Sequence, residues 1–254
     1  MKEFQKESCS KERQLILQWI ERKGEEPTMK AFQLKIAIKN SKPPIWRRFV
    51  VPSGITFSQL SMILNEVMGW SGYHLFEFEF CHQNLKIFED LEDAWFGGMY
   101  ECLEANGTLI DEYLKEDGWF TYTYDLGDQW DHRVTVETVI DDWEWNYPQV
   151  MKYKGECPIE DCGGIWGYYE CLETIADKDN PESRERLEWM ESQGYPNTYD
   201  MNGMNQRLKQ MYFYTWGRMD TRCQNELVDE VWDGKGLTAV RMKKRGTSGA
   251  RNRK

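Results

Sequence analysis

The sequence predicts an α+β fold: a mostly antiparallel, hairpin-built sheet with one early amphipathic helix and a helical C-terminal half. Three observations carry this. Apolar and polar side chains alternate over short runs through much of residues 30–140, with turn residues between the runs. One stretch among them, "TFSQLSMILNEVMGW", keeps a 3.6-residue apolar stripe instead. After about residue 167 helical stripes take over. Strands first and helices last is the order of α+β, not of alternating α/β.

The elements follow in chain order. In "KERQLILQWIERK", Leu15, Ile16, Trp19 and Ile20 share a helical stripe, and "GEEPT" then breaks the chain. Residues 1–28 therefore read as a helical appendage to a domain over 29–215. Phe32, Leu34, Ile36 and Ile38 alternate with Gln33 and Lys35, the pattern of a strand with one wet face. "NSKPP" turns the chain and "IWRRFVV" returns as the second arm of a hairpin. Thr56 with Gln59 three residues later is a capping box, and Phe57, Leu60, Ile63, Leu64 and Val67 form the stripe that Gly69 ends. In "YHLFEFEFCH", His74, Phe76, Phe78 and Phe80 fall on one face and Leu75, Glu77 and Glu79 on the other. A short helix is expected around "LIDEYLKE". "GWFTYTYDLGDQWDHRVTVETVI" reads as a long hairpin turning at "DLGD", with Trp130, His132, Val134 and Val136 on one face of its second arm. Three helices are expected last: "GYYECLETIADK"; "DNPESRERLEWMESQG", with Asp179 or Asn180 as cap and Pro181 in the first turn; and "MNQRLKQMYFYTW".

Composition narrows the functional classes. The 254 residues are 40% hydrophobic and include 12 Trp, enough for a sizeable core. No run approaches the roughly 20 apolar residues of a membrane span, and the first residues lack an apolar signal region. Seven Cys, an odd number, fit free thiols in a reducing cytosol. The net charge of −11 is unevenly spread: residues 241–254 hold seven Lys/Arg and no acid, which leaves −18 on residues 1–240. Such a body repels phosphate backbones, so tight or specific nucleic-acid binding is not expected. The extension 216–254 is expected to end in a solvated, disordered basic tail.

Four stretches in this order resemble the plasmid pRiA4b ORF-3-like family: "SKPPIWRRFVVP", "MGWSGYHLFEF", "YTYDLGDQWDHRVTVE" and "CPIEDCGGIWGYYECLETIAD". The resemblance covers about residues 30–215. It implies a compact α+β domain of a kind found in bacteria, archaea and mobile elements, some members being transposon passenger proteins. It implies no settled activity. Where the family often reads "HLHEF", this chain has Phe76 in place of the second histidine.

Four chemistries are open to these motifs. Cys157 and Cys162 with His74 and His132 could hold zinc, although no second closely spaced Cys pair supports the set, so sub-stoichiometric zinc is the expectation. Cys162, just before a helix, could be an activated thiol, but Glu156, Glu160 and Asp161 beside it would raise its pKa. Asp125, Asp128 and Asp131 with His132 hold the ingredients of a carboxylate–metal centre, yet Asp125 and Asp128 flank a turn glycine where Asp is favoured for turn chemistry alone. Trp70, Tyr73, Trp130, Trp166 and Tyr168 lie inside the motifs and suit either a binding groove or the core. Arg47 and Arg48 must point to opposite strand faces, and the inward one is expected to pair with the acidic loop. That makes Glu160, Asp161, Gly163 and Gly164 a structural cap on the following helix. The leading expectation is a cytosolic, non-catalytic protein-binding module associated with mobile elements, its acidity able to mimic nucleic acid. The alternative is a zinc enzyme or zinc-stabilised module.

Overall fold

The computed structural model describes residues 29–92, 99–215, 226–229 and 241–244. The helix expected in 11–23 and the end of the basic tail, 245–254, lie outside them. In order come β1 (Met29–Ile38), β2 (Trp46–Pro52), α1 (Phe57–Met68), β3 (Phe76–Phe80), β4 (Leu85–Phe88), β5 (Glu101–Glu104), β6 (Trp119–Tyr124), β7 (Trp130–Trp143), β8 (Gln149–Lys154), α2 (Gly164–Ala176), α3 (Ser183–Ser192) and α4 (Met201–Thr215). A small antiparallel ladder of β9 (Glu226–Asp229) and β10 (Arg241–Lys244) follows, so the first four residues of the basic segment are strand.

The architecture is α+β, with one large sheet in the order β5-β4-β3-β6-β7-β1-β2-β8. Every neighbour pair is antiparallel except β4 with β5. The second half of the chain is mixed rather than purely helical, because β8 precedes α2 and the small ladder follows α4. "LIDEYLKE" contributes only a 3-10 turn at Ile110–Glu112. Helix α3 starts at Ser183, after Pro181 rather than around it, with Asn180 Oδ1 accepting the Glu182 N–H just ahead. No helix among the described residues is long and apolar enough to cross a membrane.

One face of the sheet is the core. Phe32, Leu34 and Ile36 of β1, Phe76, Phe78 and Phe80 of β3, and Trp130, Val134 and Val136 of β7 are all buried. Helix α1 buries Phe57, Leu60, Ile63, Leu64, Val67 and Met68, each such side chain contributing about 1.5–3 kcal/mol. Phe57 meets Phe78 edge-on at 4.9 Å and Phe80 at 5.7 Å. The Thr56 capping box opens the helix and left-handed Gly69 closes it. A buried polar pin fixes its angle on the sheet. Tyr122 Oη lies 2.8 Å from Ser61 Oγ and donates to Asn65 Oδ1 at 2.9 Å. The opposite face is wet and ion-paired: Arg48 and Gln33 both donate to Glu137, and Lys86 to Glu77.

Strand β8 forms one edge of the sheet. There the Asn205 side chain of α4 bonds both backbone groups of Val150, accepting its N–H at 2.7 Å and donating to its C=O at 3.0 Å.

Candidate functional site

Three loops distant in sequence meet at one end of the sheet: the α1–β3 connection, the β6–β7 turn and the loop from β8 to α2. Hydrogen bonds from loop side chains tie them together. Glu160 accepts from Ser71 N–H at 2.8 Å, Ser71 Oγ at 2.9 Å and Tyr124 Oη at 2.7 Å. Trp70 Nε1 donates to Pro158 O at 3.0 Å, and Asp161 accepts from Tyr73 Oη. Burial, with Glu160 as its bonded neighbour, pushes the Tyr124 phenol above its ordinary range. The bond to Asp161 does the same for Tyr73.

The start of α2 is capped from the hairpin turn rather than from its own loop. Asp128 Oδ2 accepts the Gly163 N–H at 2.7 Å and the Gly164 N–H at 3.2 Å. The turn and the helix approach so closely that a Cβ on Gly164 would lie 2.2 Å from the Asp128 carbonyl oxygen, at a φ of +68°. Asp128→Ala is expected to destabilise the fold by about 1–2 kcal/mol in urea unfolding, the usual worth of a helix cap. Gly164→Ala is expected to cost more, since it forces the two backbones apart. An Asp128→Ala variant as stable as the parent would remove the capping role.

At the mouth of these loops His74 stands between two carboxylates. Its Nε2 is 2.9 Å from Asp161 Oδ1 and 3.5 Å from Asp125 Oδ2. The other Asp125 oxygen, Oδ1, accepts the N–H groups of Gly127 and Asp128. Both aspartates have left-handed backbones, with φ of 55° at Asp125 and 57° at Asp161. His74, Asp125 and Asp161 are the one group of His, Cys, Asp or Glu among the described residues whose ligand atoms all lie within 4.8 Å of one another.

The structure does not gather His74, His132, Cys157 and Cys162. Only His74 reaches the cluster. His132 is sealed in the core, where its Nδ1–H donates to Tyr122 O at 3.1 Å. Cys157 is buried, and its Sγ accepts from Arg47 Nη2 at 3.1 Å. Cys162 Sγ points to the carbonyls of Ile159 and Gly164, and burial pushes its thiol up to about 12. Burial also raises the Cys157 thiol, against the opposing pull of Arg47. Burial thus disfavours the thiolate form of both. The carboxylate–metal set divides too: Asp131 lies on the wet face bonded to Thr123, Asp128 caps α2, and Asp125 alone joins the centre.

Arg47 is the inward arginine and Arg48 the outward one. Arg47 does not pair with the acidic loop's carboxylates; it donates to the carbonyls of Val67, Trp46 and Lys154 as well as to Cys157. The loop carboxylates are spent elsewhere, Glu156 on the Tyr199 N–H and the other two as above. Trp70, Trp130 and Tyr168 belong to the core, whereas Tyr73 and Trp166 are 63% and 68% exposed. Ser71 and Tyr124 are members of the network that spacing did not single out. Alternation puts Tyr124 on the buried face, but nothing local shows that its hydroxyl reaches Glu160.

A family model described as plasmid pRiA4b ORF-3-like protein matches residues 30–207. The uncharacterized protein y4hQ of Sinorhizobium fredii (strain NBRC 101917 / NGR234) is 32% identical over 165 residues, which span 64% of this chain and 82% of that protein. The crystal structure of MM3350, a protein of unknown function from Methanosarcina mazei Go1, superposes with a TM-score of 0.61 at 30% identity. That match covers 70% of this chain and 98% of the archaeal one.

Proposed function

The chain belongs to the plasmid pRiA4b ORF-3-like family, and from that premise we propose that it is a divalent-cation-binding module, with His74, Asp125 and Asp161 as the protein's ligands. One observation carries the reading. Two carboxylates converge on a single imidazole nitrogen, which has at most one proton to give, and Asp125 Oδ2, 3.5 Å away, makes no hydrogen bond among the described residues. A cation between the three groups resolves that excess of negative charge. The separations of 2.9 and 3.5 Å suit atoms that share one small ion, whose ligand bonds are about 2.0–2.2 Å. One imidazole with two carboxylates suits zinc or manganese better than calcium, which takes oxygen ligands alone. Three protein ligands leave further positions open to water or to a bound group.

The test is calorimetric titration of chelator-treated protein with Zn²⁺, Mn²⁺ and Ca²⁺, followed by elemental analysis after gel filtration. Stoichiometric binding of zinc or manganese is expected, lost in His74→Ala and Asp161→Asn and retained in Cys157→Ala. Binding that survives both of the first two variants would remove this centre.

Contact with protein partners is a second reading, supported by the exposure of Tyr73 and Trp166 beside the motif loops and by the acidic body. An association with mobile elements and a cytoplasmic location fit both readings.

A further inference from the structure

We propose that the outer face of α2, built on Trp166, Glu170 and Glu173, docks an arginine-rich, acid-free segment of a partner protein. This gives the partner in the second reading above its chemistry, and it stands whether or not the cation centre fills. The three residues are spaced i, i+4 and i+7, so they lie on one helix face. All three are exposed, and none makes a side-chain hydrogen bond, ion pair or ring contact among the described residues. They line one side of a groove of about 520 Å³ whose other wall is the β1–β2 turn at Asn40 and Lys42. Tyr169 and Leu172 also line it, and the Tyr169 hydroxyl accepts the Lys42 backbone N–H.

An indole exposed to this degree offers a flat π surface, and two unpaired carboxylates one and two turns away offer negative charge in reach of the same ligand. Guanidinium matches both: it stacks on indole and forks onto carboxylate. Lys42 is the one cation of the lining, and two carboxylates oppose it. The surroundings strengthen the sign. Residues 156–200, the segment that carries this face, hold twelve Asp/Glu against three Lys/Arg, a net negative charge. An anionic or nucleic-acid occupant is disfavoured by the same charges, and a purely apolar one would leave both carboxylates unused.

The experiment is a titration of the full chain with a short Gly–Arg repeat peptide, followed by indole fluorescence and calorimetry, with Gly–Lys and Gly–Glu repeats as comparators. The arginine peptide is expected to bind several-fold more tightly than the lysine one, and the glutamate peptide not at all. Trp166→Ala is expected to weaken binding roughly tenfold. Glu170→Gln with Glu173→Gln is expected to weaken it by a similar factor and to flatten its salt dependence. All three positions are exposed, so the variants should melt like the parent. Binding unchanged in both variants overturns the proposal. So does binding that appears only when the seven Lys/Arg of 241–254 are replaced by Gln, because the occupant would then be the chain's own C-terminal segment. Repeating the titration after chelation separates this face from the cation centre: a loss there would tie the peptide to the ion and overturn the assignment to α2.

Discussion

Arg47→Ala is expected to destabilise the protein by roughly 3–5 kcal/mol, the largest single-residue effect predicted outside the apolar core. Arg47 is fully buried, and no carboxylate among the described residues pairs with it. Its guanidinium is satisfied by geometry instead. Nε donates to Val67 O at the end of α1, Nη1 to Trp46 O and Lys154 O, and Nη2 to Cys157 Sγ, all at 3.0–3.2 Å. The plane lies 3.9 Å over the Tyr199 ring. One side chain thus joins β2, the end of β8, the C-terminus of α1, the loop before α2 and the segment before α4. Truncation leaves buried carbonyls without donors and a cavity against an aromatic ring. Arg47→Lys should recover little, since one ammonium cannot present a planar fork to acceptors on four sides. Urea unfolding measures the effect as a shift in midpoint at unchanged slope. A loss below about 1 kcal/mol would show that these bonds are replaced at no cost by water or rearrangement.

The second large effect is acid sensitivity set by His132. This imidazole is fully buried, its Nδ1–H is held by Tyr122 O, and its Nε2 has no hydrogen-bond partner among the described residues. Trp70 and Tyr122 pack against the ring at 5.2 and 5.7 Å, so a second proton would be placed in an apolar, aromatic setting. Burial therefore pushes its pKa down from 6.5 to about 4. The sign follows from proton counting. Below pH 6.5 the unfolded chain takes up a proton that the folded chain refuses until about pH 4, so stability is full above pH 6.5 and falls through that window. The group alone accounts for about 3 kcal/mol between neutral pH and pH 4. His132→Gln, whose amide can still donate to the Tyr122 carbonyl, is expected to flatten the stability–pH curve by that amount over that window. Parallel curves for parent and variant between pH 7 and 4 would refute the burial account.

What could be read in advance follows the range of the interactions. The β1–β2 hairpin, the Thr56 capping box, the Phe76–Phe78–Phe80 face and the long β6–β7 hairpin are set by neighbours two to four residues apart, and alternation or stripe exposes them directly. His132 lies on the buried face of β7, where alternation puts it, for the same reason. His74 departs from the Phe76 face that alternation assigns it, because it lies in the bend before β3, where strand parity does not apply, and turns out toward Asp125 and Asp161. The acidic loop illustrates the harder case. Its acidity is plain in the sequence, but the partners of its carboxylates are Ser71, Tyr73, His74, Tyr124 and Tyr199, brought close only when separate loops meet. Charge alone suggested Arg47, which in fact prefers carbonyls and a thiol. The parallel β4–β5 pair had no local signal, since parallel pairing depends on where a crossover lands.

The Asn205 amide at the rim of β8 bears on self-association. A free edge strand is a template that another copy can extend, and proteins suppress this by covering the edge or exhausting its bonding groups. At Val150 both groups are already engaged by an amide that imitates the next strand's peptide. Helix α4 therefore acts as a terminator of sheet growth as well as a packing element. A chain cut ahead of it would keep its hairpins but expose a bonding-competent rim, and its first symptom would be stickiness toward its own kind rather than loss of secondary structure.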